Sequence, residues 1–200
     1  MCIRDRVYAA WSDESGGDSE IYVRRFTGSA WQPAGPGASS SDGISANSGS
    51  STDPAIAVPA DALPWVVWVD RGSDDSEIYV RRFNGSTWDE VGGASATGGG
   101  ISNNTGASFE MALDISSDGR AVVAWSDLSS GQAQIFARRW SGSSWAQLSG
   151  SASAGGVSAS PRLTSAPSVA ITPDGIAAVA WSESLSGGNS EIYVRRYNAE

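Results

Sequence analysis

The stretch SEIYVRRFNGSTW, Ser76 to Trp88, decides how the rest of the chain is read. It returns almost unchanged as SEIYVRRFTGSAW from Ser19 to Trp31, as AQIFARRWSGSSW from Ala133 to Trp145, and begins again as SEIYVRRYN at Ser190. The arginine pairs Arg24/Arg25, Arg81/Arg82, Arg138/Arg139 and Arg195/Arg196 therefore recur at a constant step of 57 residues. Self-similarity of this kind marks a solenoid, propeller or array, in which each copy hides its flanks against the next.

Working outward from that stretch, four segments recur in fixed order. An alternating run comes first: Ala55 to Val58, Met111 to Ile115 and Ser168 to Ile171. Ile56/Val58, Leu113/Ile115 and Val169/Ile171 share one parity, the period-two signal of a strand. A tight turn follows at Asp61-Ala62, Asp118-Gly119 and Asp174-Gly175, where glycine supplies the positive φ that a hairpin needs. The second strand ends in tryptophan (Trp11, Trp68, Trp125, Trp181), with an acid two residues on: Asp13, Asp70, Asp127 and Glu183. The EIYVRRF stretch is apolar on both parities, which predicts a third strand buried on both faces. Turns at Thr27-Gly28, Asn84-Gly85 and Ser141-Gly142 lead to a short fourth strand holding Trp31, Trp88 or Trp145.

Between copies run Gly/Ser-rich segments, Gly35 to Asp53, Gly92 to Ser108 and Ser149 to Ala166. Their composition is that of a linker. Each nevertheless carries Gly-Ile/Val-Ser (Gly43 to Ser45, Gly100 to Ser102, Gly156 to Ser158). A recurring apolar residue in a polar segment predicts an anchored, ordered connection.

Four antiparallel strands per tandem unit describe β-propeller blades. A string of separate sandwiches would need about seven strands each, too many for this repeat. The expected organisation is one incomplete all-β propeller: a partial blade over 7–34, complete blades over 54–91 and 110–148, and a partial blade over 167–200. Residues 1–6, MCIRDR, resemble the read-through of a sequencing adapter and are set aside as a non-native scar. With both ends looking cut, the chain reads as a metagenomic fragment of a longer gene, its remaining blades elsewhere in the same chain.

Composition removes several chemistries. The chain has 22 acidic and 13 basic residues, a net charge of −9, and no histidine. All the basic residues are arginine. That balance argues against nucleic acid and anionic membranes as partners. Lack of histidine excludes Ser-His-Asp and Cys-His nucleophiles, and lack of lysine excludes a P-loop or Schiff base. The lone cysteine, Cys2, forms no intrachain disulfide. No apolar run is long enough for a membrane-spanning helix.

Ile171 to Trp181 (ITPDGIAAVAW), followed by SEIYVRR, resembles the propeller repeats of the periplasmic Tol-system protein and the sialidase-like propellers of bacterial surface proteins. The resemblance covers the chain after Arg6 and implies a fold. The sialidase turn pattern S-x-D-x-G-x-x-W has a spacer between Asp and Gly that Ser116 to Gly119 lacks. The family's arginine triad and Tyr/Glu pair match no positions here, so no catalytic, cofactor-binding or metal-binding residue is assigned.

In a propeller, the loops after strands two and four share one face, and rigid scaffolds place recognition on such loops. That face is the expected binding site, with Asp13, Glu14, Asp18, Asp70, Asp74, Asp75, Asp127 and Glu183. These acids lack the D-x-[DN]-x-[DN]-G spacing of a calcium loop, so solvated loop acids are expected over Ca²⁺ and no cofactor is assigned. Recurrence of the acids in every copy argues against a hydrolytic pair, since an active site is assembled once. The arginine pairs are expected to bind the turn acids Asp61, Asp118 and Asp174 structurally. The recurring tryptophans are expected to pack between blades. Trp65 and Trp140, tryptophan in one copy only, are kept for a local role.

The expectation is a non-catalytic extracellular, cell-surface or periplasmic scaffold that binds a glycan or protein partner through its long-loop face. Two alternatives stand beside it: the propeller of a sialidase-like glycoside hydrolase whose active site lies on other blades, and a structural repeat of a large adhesin.

Overall fold

The structure, a computed structural model, describes residues 7–199 except Ala62, Ser73 and Asp74. The expectations for residues 1–6, Ala62 and Asp74 lie outside the described residues. Four antiparallel sheets follow one another along the chain. The first holds β1 (Val7–Asp13), β2 (Glu20–Phe26) and β3 (Trp31–Pro33). The second holds β4 (Ser50–Ala57), β5 (Trp65–Arg71), β6 (Glu77–Phe83) and β7 (Trp88–Glu90). The third holds β8 (Ser108–Ile115), β9 (Ala121–Asp127), β10 (Gln134–Trp140) and β11 (Trp145–Gln147). The fourth holds β12 (Thr164–Ile171), β13 (Ala177–Ser184) and β14 (Ser190–Tyr197), with a single 3₁₀ turn at Ser186–Gly188. Within each complete sheet the strands lie side by side in chain order. The chain is an all-β propeller fragment.

Alternation builds the core. Trp65, Val67, Val69, Ile78 and Val80 face Val123, Trp125, Phe136 and Trp140 of the next sheet. Val66, Trp68, Tyr79 and Phe83 face Ile21 and Val23 of the previous one. A third cluster joins Val122, Ala124 and Ile135 to Val179 and Trp181. The third strands β6 and β10 are buried on both faces along their first four residues, as their double-parity apolar pattern predicts. The terminal Trp of each second strand pairs across the ladder with an aromatic of the third: Trp11 with Tyr22, Trp68 with Tyr79, Trp125 with Phe136, Trp181 with Tyr193. Such cross-strand pairs fix the register.

The inter-copy segments are ordered and lie along the outer edge of the third strand, beyond the three-residue fourth strand. Ile44, Ile101 and Val157 donate their backbone N–H groups to the carbonyls of Ile21, Ile78 and Ile135 at 2.8, 2.8 and 2.6 Å. Each of their side chains is buried. Ser45, Ser102 and Ser158 accept the N–H of those same isoleucines through their hydroxyls, at 2.8, 2.8 and 2.9 Å. The glycine of the motif is required by space. A Cβ on Gly100, whose φ is +60°, would stand 2.3 Å from the Ile78 carbonyl oxygen, and Gly43 and Gly156 meet the same obstacle. The segment thus covers a strand edge that would otherwise be open.

Seams between sheets carry a second recurring device. Trp88 donates its indole N–H to the Ala34 carbonyl of the preceding copy at 2.8 Å, and Trp145 does the same to Val91 at 2.9 Å. The expectation that the recurring tryptophans pack between blades holds for Trp68, Trp88, Trp125, Trp145 and Trp181, while Trp31 is exposed. The same packing takes in Trp65 and Trp140. Their rings lie 6.4 Å apart, and Trp145 completes a three-tryptophan cluster.

Candidate functional site

Three of the four acids that follow the second-strand tryptophans, Asp70, Asp127 and Glu183, are drawn inward, and Asp13 is half-buried. Asp127 is fully buried and Asp70 nearly so. Asp127 accepts hydrogen bonds from Trp125 Nε1 (2.9 Å), Ser108 Oγ (3.0 Å), Asn104 Nδ2 (2.5 Å) and the Ser129 N–H (2.9 Å). Asp70 repeats this with Trp68, Ser51, Asn47 and the Gly72 N–H. Asp13 and Glu183 accept from Trp11 and Trp181. A buried carboxylate is tolerated when its lone pairs are met by donors. Ser15, through its hydroxyl and its N–H, holds the Asp13 carboxyl below its ordinary range. The W-x-D/E motif is therefore a bracket that ties the end of the second strand to the neighbouring segment. Of the acids expected on the binding face, Glu14 and Asp18 are exposed and Asp75 is half-buried. Among the described residues, no three acids converge as a metal-ligating group.

The arginines divide. Arg82 pairs with Asp61 at 2.5 Å, as expected. Arg139 is buried and donates instead to the carbonyls of Gly175 and Asn198, bridging the third and fourth sheets. Asp118 is held by Arg120 of its own turn at 3.3 Å.

The residues that sequence reasoning missed lie on the innermost strands. β4, β8 and β12 each carry a bulge, between Thr52 and Ala55, Phe109 and Ala112, and Ser165 and Ser168. At each bulge one residue has left-handed backbone: Asp53 (φ 53°), Glu110 (φ 49°) and Ala166 (φ 51°). Non-glycine residues occupy that region at a cost, which makes a built feature of each bulge. Two of the three carry carboxylates, both exposed. Glu110 accepts from Ser126 Oγ and from the Ala166 N–H of the next sheet, both at 3.0 Å, so its carboxylate is fixed in place. Asp114, farther along β8, accepts the Ile171 N–H at 2.8 Å. The signal for these positions was present in the repeat: Asp53, Glu110 and Ala166 align, and the acid is lost in one copy.

Asp53 lies in a cleft of about 620 Å³ between the first and second sheets, lined also by Asp13, Glu14, Thr52 and Arg71. Arg71 donates to Thr52 Oγ1 at 2.7 Å, and Thr52 donates to Asp53 at 3.0 Å. The structure thus brings two of the expected acids, Asp13 and Glu14, beside a carboxylate and an arginine that break the repeat. Glu14, Arg71 and Leu128 occupy equivalent positions in their copies. This cleft can present a carboxylate, a cation and hydroxyls to a polar ligand, with Glu110 on the adjoining inner strand.

No family model matches the chain, and no curated protein matches it by sequence. Among solved structures, an endo-arabinase from Bacteroides thetaiotaomicron aligns with all of this chain and 73% of its own, with a TM-score of 0.52 and 12% identity. A protein of unknown function from Dyadobacter fermentans aligns with 94% of this chain and 51% of its own, at a TM-score of 0.51 and 14% identity. A thermostable family-43 glycoside hydrolase aligns over 98% and 69%, at 0.48 and 15%. The expectation of a non-catalytic scaffold working through its long loops is corrected here. The aligned arabinase is an enzyme, and the segments after the fourth strands, half of the loops expected to form that face, are spent on covering strand edges. The sialidase-like form of the hydrolase alternative and the Tol-system resemblance are not supported by these structures. At these identities the likeness is one of fold, and it makes this chain a β-propeller.

Proposed function

We propose that the chain is the propeller of a glycoside hydrolase acting on a polymeric glycan, with Asp53 and Glu110 as the carboxylates of its centre. The observation that carries the proposal is where the repeat is broken. A repeat spends its recurring residues on packing, and an active site is assembled once. The recurring acids Asp70 and Asp127 are saturated by internal donors. Those on the bulged inner strands change from copy to copy and stay exposed. Glycoside hydrolysis needs one carboxyl group to protonate the leaving oxygen and a second to activate water or attack the sugar carbon. Backbone held in the left-handed region by a bulge aims such groups and keeps them from relaxing into the ladder. Arg71, which donates to Thr52 Oγ1 at 2.7 Å, places a cation in the same cleft as Asp53. A polymer of sugars is met outside the cytoplasm, so an extracellular, cell-surface or periplasmic site of action belongs to the same proposal.

Release of reducing ends from arabinan and from xylan tests this. Wild-type chain is expected to cleave one of them, and Asp53→Asn and Glu110→Gln are each expected to lose about a hundredfold or more in kcat, the usual contribution of a positioned acid or base. Absence of turnover on both polymers, or turnover undiminished in both variants, overturns the assignment.

A further inference from the structure

A second feature breaks the repeat, at the opposite end of the sheets. Two seams between neighbouring sheets leave pockets beside the tight turns, built from equivalent positions. Between the first and second sheets the pocket is lined by Tyr8, Arg25 and Phe83 in about 220 Å³. Between the second and third it is lined by Trp65, Arg82 and Trp140 in about 290 Å³, with Asn84 and Asp89 at its mouth. Of these two pockets, the first has no tryptophan in its wall and the second has two. Its polar wall is also unbalanced: Trp65 Nε1 and Arg82 Nε are buried and find no acceptor among the described residues. A buried donor without an acceptor is unfavourable and calls for a missing partner. Two such donors on one cavity ask for an oxygen-bearing ligand.

We propose that this seam pocket is a carbohydrate subsite that takes one neutral sugar ring, separate from the cleft at Asp53. Charge narrows the ligand. Asp61, Asp89 and Glu90 surround Arg82, which disfavours an anion, and the guanidinium disfavours a cation. Hydroxyls satisfy both kinds of neighbour, donating to Asp89 and accepting from the orphaned N–H groups. The apolar C–H face of a sugar ring rests against the edge of Trp140. The Arg82 side chain, 39% exposed and paired with Asp61, lies over the Trp65 indole with its centre 5.6 Å from the ring. The pocket is independent of the hydrolase proposal, since it shares no residue with the cleft.

Titration of the full chain with D-xylose and with L-arabinose, followed by tryptophan fluorescence and with glycerol as the polyol control, tests the subsite. A saturable change with at least one sugar and none with glycerol is expected. Trp140→Phe installs the residue that the neighbouring seam has at Phe83, and it is expected to weaken binding about fivefold. Asp53→Asn is expected to leave this binding unchanged while abolishing turnover, which separates the two sites. No saturable change with either sugar, or equal affinity in Trp140→Phe, overturns the subsite, as does loss of binding in Asp53→Asn alone. If circular dichroism shows Trp140→Phe unfolded, Asn84→Ala on the exposed turn replaces it. Weakened binding then supports the site, and unchanged binding overturns it.

Discussion

One hydroxyl in each copy joins a loop to a strand. Ser102 accepts the Ile78 N–H at 2.8 Å and donates to the Glu77 carboxylate. Ser102→Ala leaves a buried N–H without its acceptor and is expected to cost about 1–3 kcal/mol, read from the denaturant midpoint. Gly100→Ala forces a Cβ against the Ile78 carbonyl, and a loss on the order of 3 kcal/mol is expected in the same assay. Burial pushes the Glu77 carboxyl above its ordinary value of 4.5, against the lowering effect of Ser102. The folded state then holds a proton that the unfolded state releases, so stability falls as pH rises from the unfolded value through the raised one. The third copy has Gln134 at this position. Gln134 Oε1 accepts from Ser158 Oγ at 2.9 Å and the Ser160 N–H at 2.8 Å, with no charge to desolvate. Glu77→Gln is therefore expected to raise the melting temperature at neutral pH, with the advantage vanishing below the ordinary carboxylate value. A melting temperature unaltered across that range would refute the burial argument.

Among elements, the bulged inner strand is the one where stability and function pull apart. Asp53 sits at φ 53° with Thr52 Oγ1 as its donor. Glycine occupies left-handed backbone without the Cβ penalty of roughly 1 kcal/mol. Asp53→Gly is expected to stabilise the fold by about that amount while removing glycan cleavage. A destabilised Asp53→Gly would mean that the bulge is held by this side chain and is not a strained feature. Alternation made the apolar half of these strands readable from Ile56, Leu113 and Val169. The polar half, Ser50 to Thr52 and its counterparts, was not readable, because the bulge shifts parity by a residue and hides the continuation of the ladder.

At the scale of the molecule, sheets share their cores with both neighbours, so protection should follow position in the array. β6 and β10 are buried on both faces, whereas Ile192 and Val194 of β14 are 71% and 64% exposed. Amide exchange is expected to be slowest in β5, β6, β9 and β10 and fastest in β14. Uniform protection across the four third strands would contradict a fold stabilised sheet against sheet. The seams depend on Trp88 and Trp145, whose indoles reach carbonyls of the preceding copy. Trp145→Phe is expected to lower stability by about 1–2 kcal/mol through the lost hydrogen bond and ring contacts.

Strand order, turn positions and the anchoring role of Gly-Ile-Ser were settled by sequence alone. Each depends on neighbours along the chain and is repeated often enough to stand out from composition. Tertiary structure decided which acids are buried and which face solvent. Asp127 and Glu110 look alike in sequence. One is saturated by Asn104 and Ser108 from a segment about twenty residues away, and the other is turned outward by a bulge. What becomes of a carboxylate depends on the donors that folding brings to it, and no local pattern in the chain records them.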